Sequence, residues 1–246
     1  AIPVPIYPPA RLNQLEEHLN RHIAILDNCQ AAALITIPEA GRVARLLRTQ
    51  IQSLNHVITP EDLNPTTAHA SGPIIKPVAN TNDIAFLQYT SGSTGSPKGV
   101  TLSHANLLAN IKAYGQAIVI QPNDVCISWL PLYHDMGLIG SWFGSLYFGI
   151  SLVIMSPLSF LARPQRWLKA IDRYRGTISA GPNFAYELCS RRIRDANIQG
   201  LDLSSWRGAV NGAEAISPMT LERFCNRFSA YGFKRDAMMP VYGLAE

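Results

Sequence analysis

Short apolar runs alternate with stretches of helical spacing along almost the whole chain, and that alternation constrains the fold more than any single motif. Apolar runs bounded by turn signals stand at 31–37, 56–59, 84–89, 99–102, 125–130, 151–155, 177–180, 207–210 and 239–242, and read as strands. Between them the spacing turns helical. Residues 11–27 carry Leu12, Leu15, Leu19, Ile23 and Leu26, and residues 41–50 carry Val43, Leu46 and Leu47. Further helices are expected over 103–117, with Ser103 as cap, over 138–148, over 163–174 with Pro164 near its start, over 184–194, and over 218–228, begun by Ser217 and Pro218. Strands that alternate with helices are joined by crossovers rather than hairpins. The expected class is therefore α/β, with mostly parallel sheets covered by helices.

Composition narrows the function classes. Hydrophobic residues make up 47% and charged residues 15%, which excludes intrinsic disorder. The net charge of +4 is spread along the chain. Its densest basic spot, Arg191, Arg192 and Arg194, reads as a solvated helix face rather than a nucleic-acid patch. Cys29, Cys126, Cys189 and Cys225 form no CxxC pair, which argues against a zinc site or a disulfide scaffold and for a reducing, cytoplasmic compartment. Residues 136–154, the longest apolar region, are interrupted by glycines and serines, so no membrane span is expected. The start lacks the marks of a signal peptide.

The 246 residues correspond to about 1.6 domains at roughly 150 residues each. Residues 2–9 are a proline-rich extended run, and residues 62–82, with Pro65, Pro73 and Pro77, read as a linker. The expected organisation is a partial α/β subdomain over 1–61, the linker over 62–82, and a second α/β subdomain over 83–246. Both ends read as cuts within a domain.

Five motifs sit where strands end. The first is YTSGSTGSPKG over 89–99. It concentrates hydroxyls and backbone N–H groups at Thr90, Ser91, Gly92, Ser93, Thr94 and Gly95, and Lys98 adds a mobile point charge. Such a loop can wrap a phosphate chain, although Gly/Ser stretches are more often plain surface loops. It has neither Walker A nor Rossmann spacing. The second motif is WLPLYHDMGLIG over 129–140, which places His134 beside Asp135; such a pair is more often structural than catalytic. The others are GPNFAYEL over 181–188, VNGAE over 210–214 and VYGLAE over 241–246. Each is weak alone, and from composition alone a turn with a helix cap is the better reading of GPNFAYEL.

In this order and at this spacing the five resemble the adenylate-forming, or AMP-binding, enzymes: acyl-CoA synthetases, peptide-synthetase adenylation domains and luciferases. PLYHDMGL, GPNFAYEL, the opening VPIYPP and residues 160–168 resemble the fatty acyl-AMP ligase branch in particular. The resemblance runs over essentially the whole chain. It implies the N-terminal domain of that fold, in part, as two stacked α/β subdomains. It also implies ATP-dependent activation of a fatty acid to acyl-AMP, with pyrophosphate leaving, Mg²⁺ as cofactor and an acyl carrier protein as acceptor. The alternatives are an acyl-CoA synthetase, with coenzyme A as acceptor, and a non-catalytic nucleotide- or acyl-binding module.

The resemblance also assigns residues. Thr90, Ser91, Gly92, Ser93, Thr94, Gly95 and Lys98 would hold the phosphates. Asn211, Gly212, Ala213 and Glu214 would line adenine by their backbone. Tyr242, with Gly243 and Leu244, would stack on the base, and Glu246 would hold Mg²⁺. His134 would orient the acyl carboxylate, and Gly181, Phe184 and Ala185 would border the acyl channel. His134, Lys98 and Glu246 are the residues expected to be catalytic. The family's C-terminal domain, with its catalytic lysine, follows the last motif and is absent from this chain, so little adenylation is expected from these residues alone.

Other features are discounted. His18 and His22 lie four apart on a helix with no third metal ligand in view. His56, His69 and His104 read as surface or capping residues, and Trp142, Phe143, Tyr147 and Phe148 as core, with a face toward the acyl channel as the alternative for some of them.

Overall fold

The computed structural model describes residues 1–7, 15–63, 78–90 and 97–244. It divides into two compact units, Ala1–His104 and Ala105–Glu246. The expected linker lies within the first, and most of it falls outside the described residues.

In the first unit, helix α1 (Leu15–Asn28) and helix α2 (Gly41–Gln50) accompany a parallel pair, β1 (Ala33–Ile35) and β2 (His56–Ile58). Leu26, Leu34, Ala44, Leu47, Ile51 and Leu54 form its small core. The stripe read from the sequence supplies Leu26 and Leu47, with Leu19 and Ile23 packed against them. The unit also holds β3 (Ile84–Thr90) and β4 (Lys98–Ser103), which pair antiparallel as a hairpin. This is a local exception to the parallel rule. The connection between them is too short to carry a crossover, so the chain can only turn back.

The second unit is built on a five-stranded sheet. Its strands are β5 (Val125–Ser128), β6 (Ser151–Ile154), β7 (Ile178–Gly181), β8 (Gly208–Asn211) and β9 (Met238–Pro240), in the order β6-β5-β7-β8-β9, and every pair is parallel. Its helices are α3 (His104–Ala117), α4 (Gly144–Phe148), α5 (Pro157–Ala162), α6 (Gln165–Tyr174), α7 (Asn183–Arg192) and α8 (Pro218–Phe228). The helix expected over 163–174 is α6, with Pro164 at its N-cap, and a further short helix, α5, started by Pro157, precedes it.

An aromatic core fills this unit, with Trp167 as its hub. Trp129, Phe160, Tyr186 and Trp206 all lie within 6 Å of it, ring centre to ring centre. Burying indole and phenol rings requires partners for their polar tips. The Trp167 indole donates to Ser179 Oγ at 2.8 Å, the Trp206 indole to the Gly208 carbonyl at 2.9 Å, and the Tyr186 hydroxyl to the Val210 carbonyl at 2.8 Å. The core is thereby pinned to the Ser179 side chain of β7 and to the backbone of β8.

The helix expected over 138–148 begins as a π-helix, Met136–Phe143, and continues as α4. A π-helix is rare and points its side chains out of α register. Two close approaches accompany it. A Cβ on Gly137 would stand 2.2 Å from the Pro131 carbonyl oxygen, and one on Gly144 would stand 1.8 Å from the Tyr114 hydroxyl. That hydroxyl donates to the Gly140 carbonyl at 3.0 Å. The shifted register leaves Trp142 and Tyr147 exposed, so the expectation that they are core is corrected.

Candidate functional site

All strands of the five-stranded sheet run the same way, so their carboxyl ends share one edge. From β5 the chain moves one way to β6, then returns past β5 to β7 and continues to β8 and β9. The direction reverses between β5 and β7. Connections leaving such a pair diverge and open a crevice at the carboxyl ends, which is where open α/β sheets hold their ligands. Four of the five motifs emerge on this edge.

Trp129 follows β5 directly and Gly181 ends β7, so they face the switch point. A Cβ on Gly181 would meet Trp129 at 3.4 Å and Trp167 at 3.2 Å, tight enough to favour glycine. Phe184, in the first turn of α7, sets its ring edge-on to Trp129 at 6.1 Å. Of the two side chains expected along an acyl channel, Phe184 is exposed and Ala185 is fully buried in the core. Trp129 is buried and stacked on Phe160 at 4.0 Å, and its indole N–H has no hydrogen-bond partner. The sequence reading left Trp129 without a role, and an orphaned donor in an aromatic wall is a signal only coordinates supply.

His134 and Asp135 close the segment before the π-helix. His134 Nδ1 lies 2.6 Å from Asp135 Oδ1, and Asp135 also accepts from the Met136 N–H at 2.6 Å. The hydrogen bond to Asp135 raises the His134 pKa above its ordinary value against the opposing effect of burial. The bond to His134 in turn lowers Asp135, again against burial. A proton on Nδ1 faces the carboxylate, which leaves Nε2 as the other polar end of the ring. The side chain is half exposed.

At the end of β8, Asn211 is fully buried, yet neither its amide nitrogen nor its oxygen has a partner. An unpaired donor and acceptor on one planar group match the N6–N7 edge of adenine. Gly212 is pressed against the next strand's tail: a Cβ there would stand 2.6 Å from the Val241 side chain. Ala213 takes φ +68°, a conformation that suits glycine better. The Glu214 carboxylate turns away from the strand and accepts the Phe184 N–H at 2.5 Å. Tyr242 and Leu244 follow β9 and are exposed, as is Gly243.

Thr90 and Lys98 are register partners in the hairpin of the first unit, so the two ends of the phosphate-loop motif lie side by side. The Tyr89 hydroxyl donates to Asn28 Oδ1, and the Tyr89 ring covers Gly99, where a Cβ would stand 2.9 Å away. Lys98 is exposed. Ser91, Gly92, Ser93, Thr94 and Gly95 lie outside the described residues, and so does Glu246. Among the described residues no three His, Cys, Asp or Glu side chains converge as a metal site. His18 and His22 are buried beside Tyr7 with ring centres 4.0 Å apart and planes tilted, and no third ligand joins them among the described residues. No helix among the described residues is long and apolar enough to cross a membrane.

The fold defines an α/β protein whose open parallel sheet has its strand-order reversal between β5 and β7. The family model for AMP-binding enzymes matches residues 1–246, and the chain belongs to that family. It is 41% identical over its whole length to the medium-chain-fatty-acid–[acyl-carrier-protein] ligase JamA of Moorena producens, of which it covers 41%. It is 39% identical, again over its whole length, to FadD21 of Mycobacterium tuberculosis, named a putative fatty-acid–CoA ligase, of which it covers 43%. Among solved structures, the fatty acyl-adenylate ligase of L. pneumophila, in complex with acyl adenylate and pyrophosphate, matches all of the chain with a TM-score of 0.86 and 42% identity. The chain covers 41% of that structure. It thus spans less than half the length of each of these proteins.

Proposed function

We propose that this chain carries the fatty-acid and nucleotide edge of an enzyme that activates a fatty acid as its acyl-AMP and passes it to an acyl carrier protein. The observation that carries the reading is the placement of the motifs: the β5/β7 switch point bears Trp129, His134, Gly181 and Phe184, while the tails of β8 and β9 bear Asn211–Glu214 and Tyr242–Leu244.

In the reaction a carboxylate oxygen attacks the α-phosphorus of ATP. A C–O–P mixed anhydride forms as the bond to the pyrophosphate leaving group breaks, and no proton is consumed. Catalysis of this kind is positioning plus charge neutralisation. Protonated His134 would hold the incoming carboxylate through Nε2, with Asp135 fixing the ring. Thr90, Ser91, Gly92, Ser93, Thr94, Gly95 and Lys98 would bind the departing phosphates. The backbone of Asn211, Gly212, Ala213 and Glu214 would line adenine, and the Tyr242 ring would cover its face. Mg²⁺, with Glu246 as its protein ligand, would neutralise phosphate charge when bound. The apolar wall of Phe184 and Trp129 suits an alkyl chain.

The test is product identity. The protein at its full native length is incubated with ATP, Mg²⁺ and dodecanoate, then offered phosphopantetheinylated carrier protein or free coenzyme A. Dodecanoyl-AMP followed by transfer to the carrier protein is expected. Efficient thioester formation with free coenzyme A overturns the acceptor and favours the synthetase reading. Absence of any acyl-AMP overturns the activation itself.

A further inference from the structure

The segments expected to serve the two substrates are tied to each other by reciprocal hydrogen bonds. Glu214, in the nucleotide segment after β8, accepts the backbone N–H of Phe184 at 2.5 Å. Asn183, at the first position of α7 beside the acyl wall, accepts through Oδ1 the backbone N–H of Ser217 at 3.1 Å. Each side chain reaches across thirty or more positions to the other segment's main chain. Both N–H groups belong to helix starts, where no intrahelical acceptor exists. The Glu214 carboxylate also meets the positive end of the α7 dipole, which strengthens the bond.

We propose that Glu214 and Asn183 are positioning residues that couple nucleotide binding to the shape of the acyl wall. The proposal rests on the function proposed above. The segment after β8 is tightly held, so a shift at one end is felt at the other. Gly212 is wedged against Val241, and Ala213 holds a left-handed conformation that its flanking contacts must maintain. A base settling beside Asn211 and Gly212 displaces Glu214 with them. Glu214 carries the Phe184 backbone, and the Phe184 ring stands edge-on to Trp129 at the switch point. Asn183 closes the circuit in the opposite direction, from the start of α7 to Ser217 at the cap of α8. A set of helix caps with no further role would stabilise the fold but would not carry effects from one substrate to the other.

The experiment looks for crossed effects. Steady-state KM values for dodecanoate and for ATP are measured separately on the protein at its full native length. Glu214→Ala, although on the nucleotide side, is expected to raise the KM for dodecanoate about ten-fold, as loss of a charge-assisted bond allows. Glu214→Gln still presents an acceptor oxygen and is expected to recover most of that loss. Asn183→Ala, on the acyl side, is expected to raise the KM for ATP about three-fold. If each variant moves only the KM of its own side, or only lowers the unfolding temperature, the coupling is overturned. Should Glu214→Ala fail to fold, Asn183→Ser carries the same test: a raised KM for ATP supports the coupling and an unchanged one overturns it. Wild-type protein that makes no acyl-AMP overturns the proposed function instead, and is recognised before any variant is made.

Discussion

Asp135 governs the charge state of His134, from a carboxylate oxygen 2.6 Å from Nδ1. With its pKa raised by the carboxylate, the imidazole stays protonated further up the pH scale than a free histidine. The sign of the linkage follows. The histidine's contribution is complete below its ordinary value of 6.5 and is lost as pH rises through the raised one. The aspartate's contribution is complete above its ordinary value of 3.8 and is lost as pH falls through the lowered one. On the proposed function, in which His134 holds the fatty-acid carboxylate, binding should weaken with rising pH at an inflection above 6.5. Asp135→Asn is expected to move that inflection back toward 6.5 and to raise the KM for fatty acid at neutral pH. Because the histidine is half exposed, solvent screens the pair to ~1 kcal/mol at most, or about five-fold in affinity. A pH profile of the fatty-acid KM in both proteins checks it; an unmoved inflection would show that another group titrates.

Several elements depend on side chains from distant parts of the chain. Arg207 precedes β8 and donates to the carbonyls of Ile118 and Val119, both at 2.9 Å, where α3 ends and Val119 takes φ +54°. It also pairs with buried Asp124 through Nε at 3.0 Å, and Thr177 donates to the same carboxylate. Burial pushes the Asp124 pKa up, but the bonds from Arg207, the Gln121 N–H and Thr177 outweigh it and hold it low. Breaking such a network strands a buried charge and two carbonyls. Arg207→Met should cost about 3 kcal/mol and lower the unfolding midpoint by on the order of 10 °C, as read by thermal denaturation. The loss should shrink as pH falls through the depressed Asp124 value, where the wild type loses the same pair. Elements of this kind set the limit of sequence reading. The π-helix at Met136–Phe143 broke the 3.6-residue period because Gly137 is pressed on Pro131 and Tyr114 supplies a donor to the Gly140 carbonyl. Ser217 stands at the N-cap as expected, but its backbone N–H goes to Asn183 and its side chain makes no cap bond.

At the scale of the whole molecule, the alternation of apolar runs and helical stripes was enough to reach a parallel sheet, because that pattern leaves crossovers as the main way to pair strands. Strand order was not legible. The reversal between β5 and β7 appears only when β7 is seen on the far side of β5 from β6, yet it is what turns motifs scattered from Trp129 to Leu244 into one edge. The sequence placed Gly181 and Phe184 near a ligand, whereas the bond from Phe184 to Glu214 joins residues thirty apart and needed coordinates. Family membership covers residues 1–246, while the relatives compared here run to more than twice that span. On the proposed function, the chain serves a carboxylate and ATP together. This is tested most directly by exchange of labelled pyrophosphate into ATP, with and without dodecanoate, on the protein at its full native length. The account predicts exchange that requires the fatty acid and falls sharply in Lys98→Ala. Exchange that proceeds equally without the acid, or none at all, would contradict it.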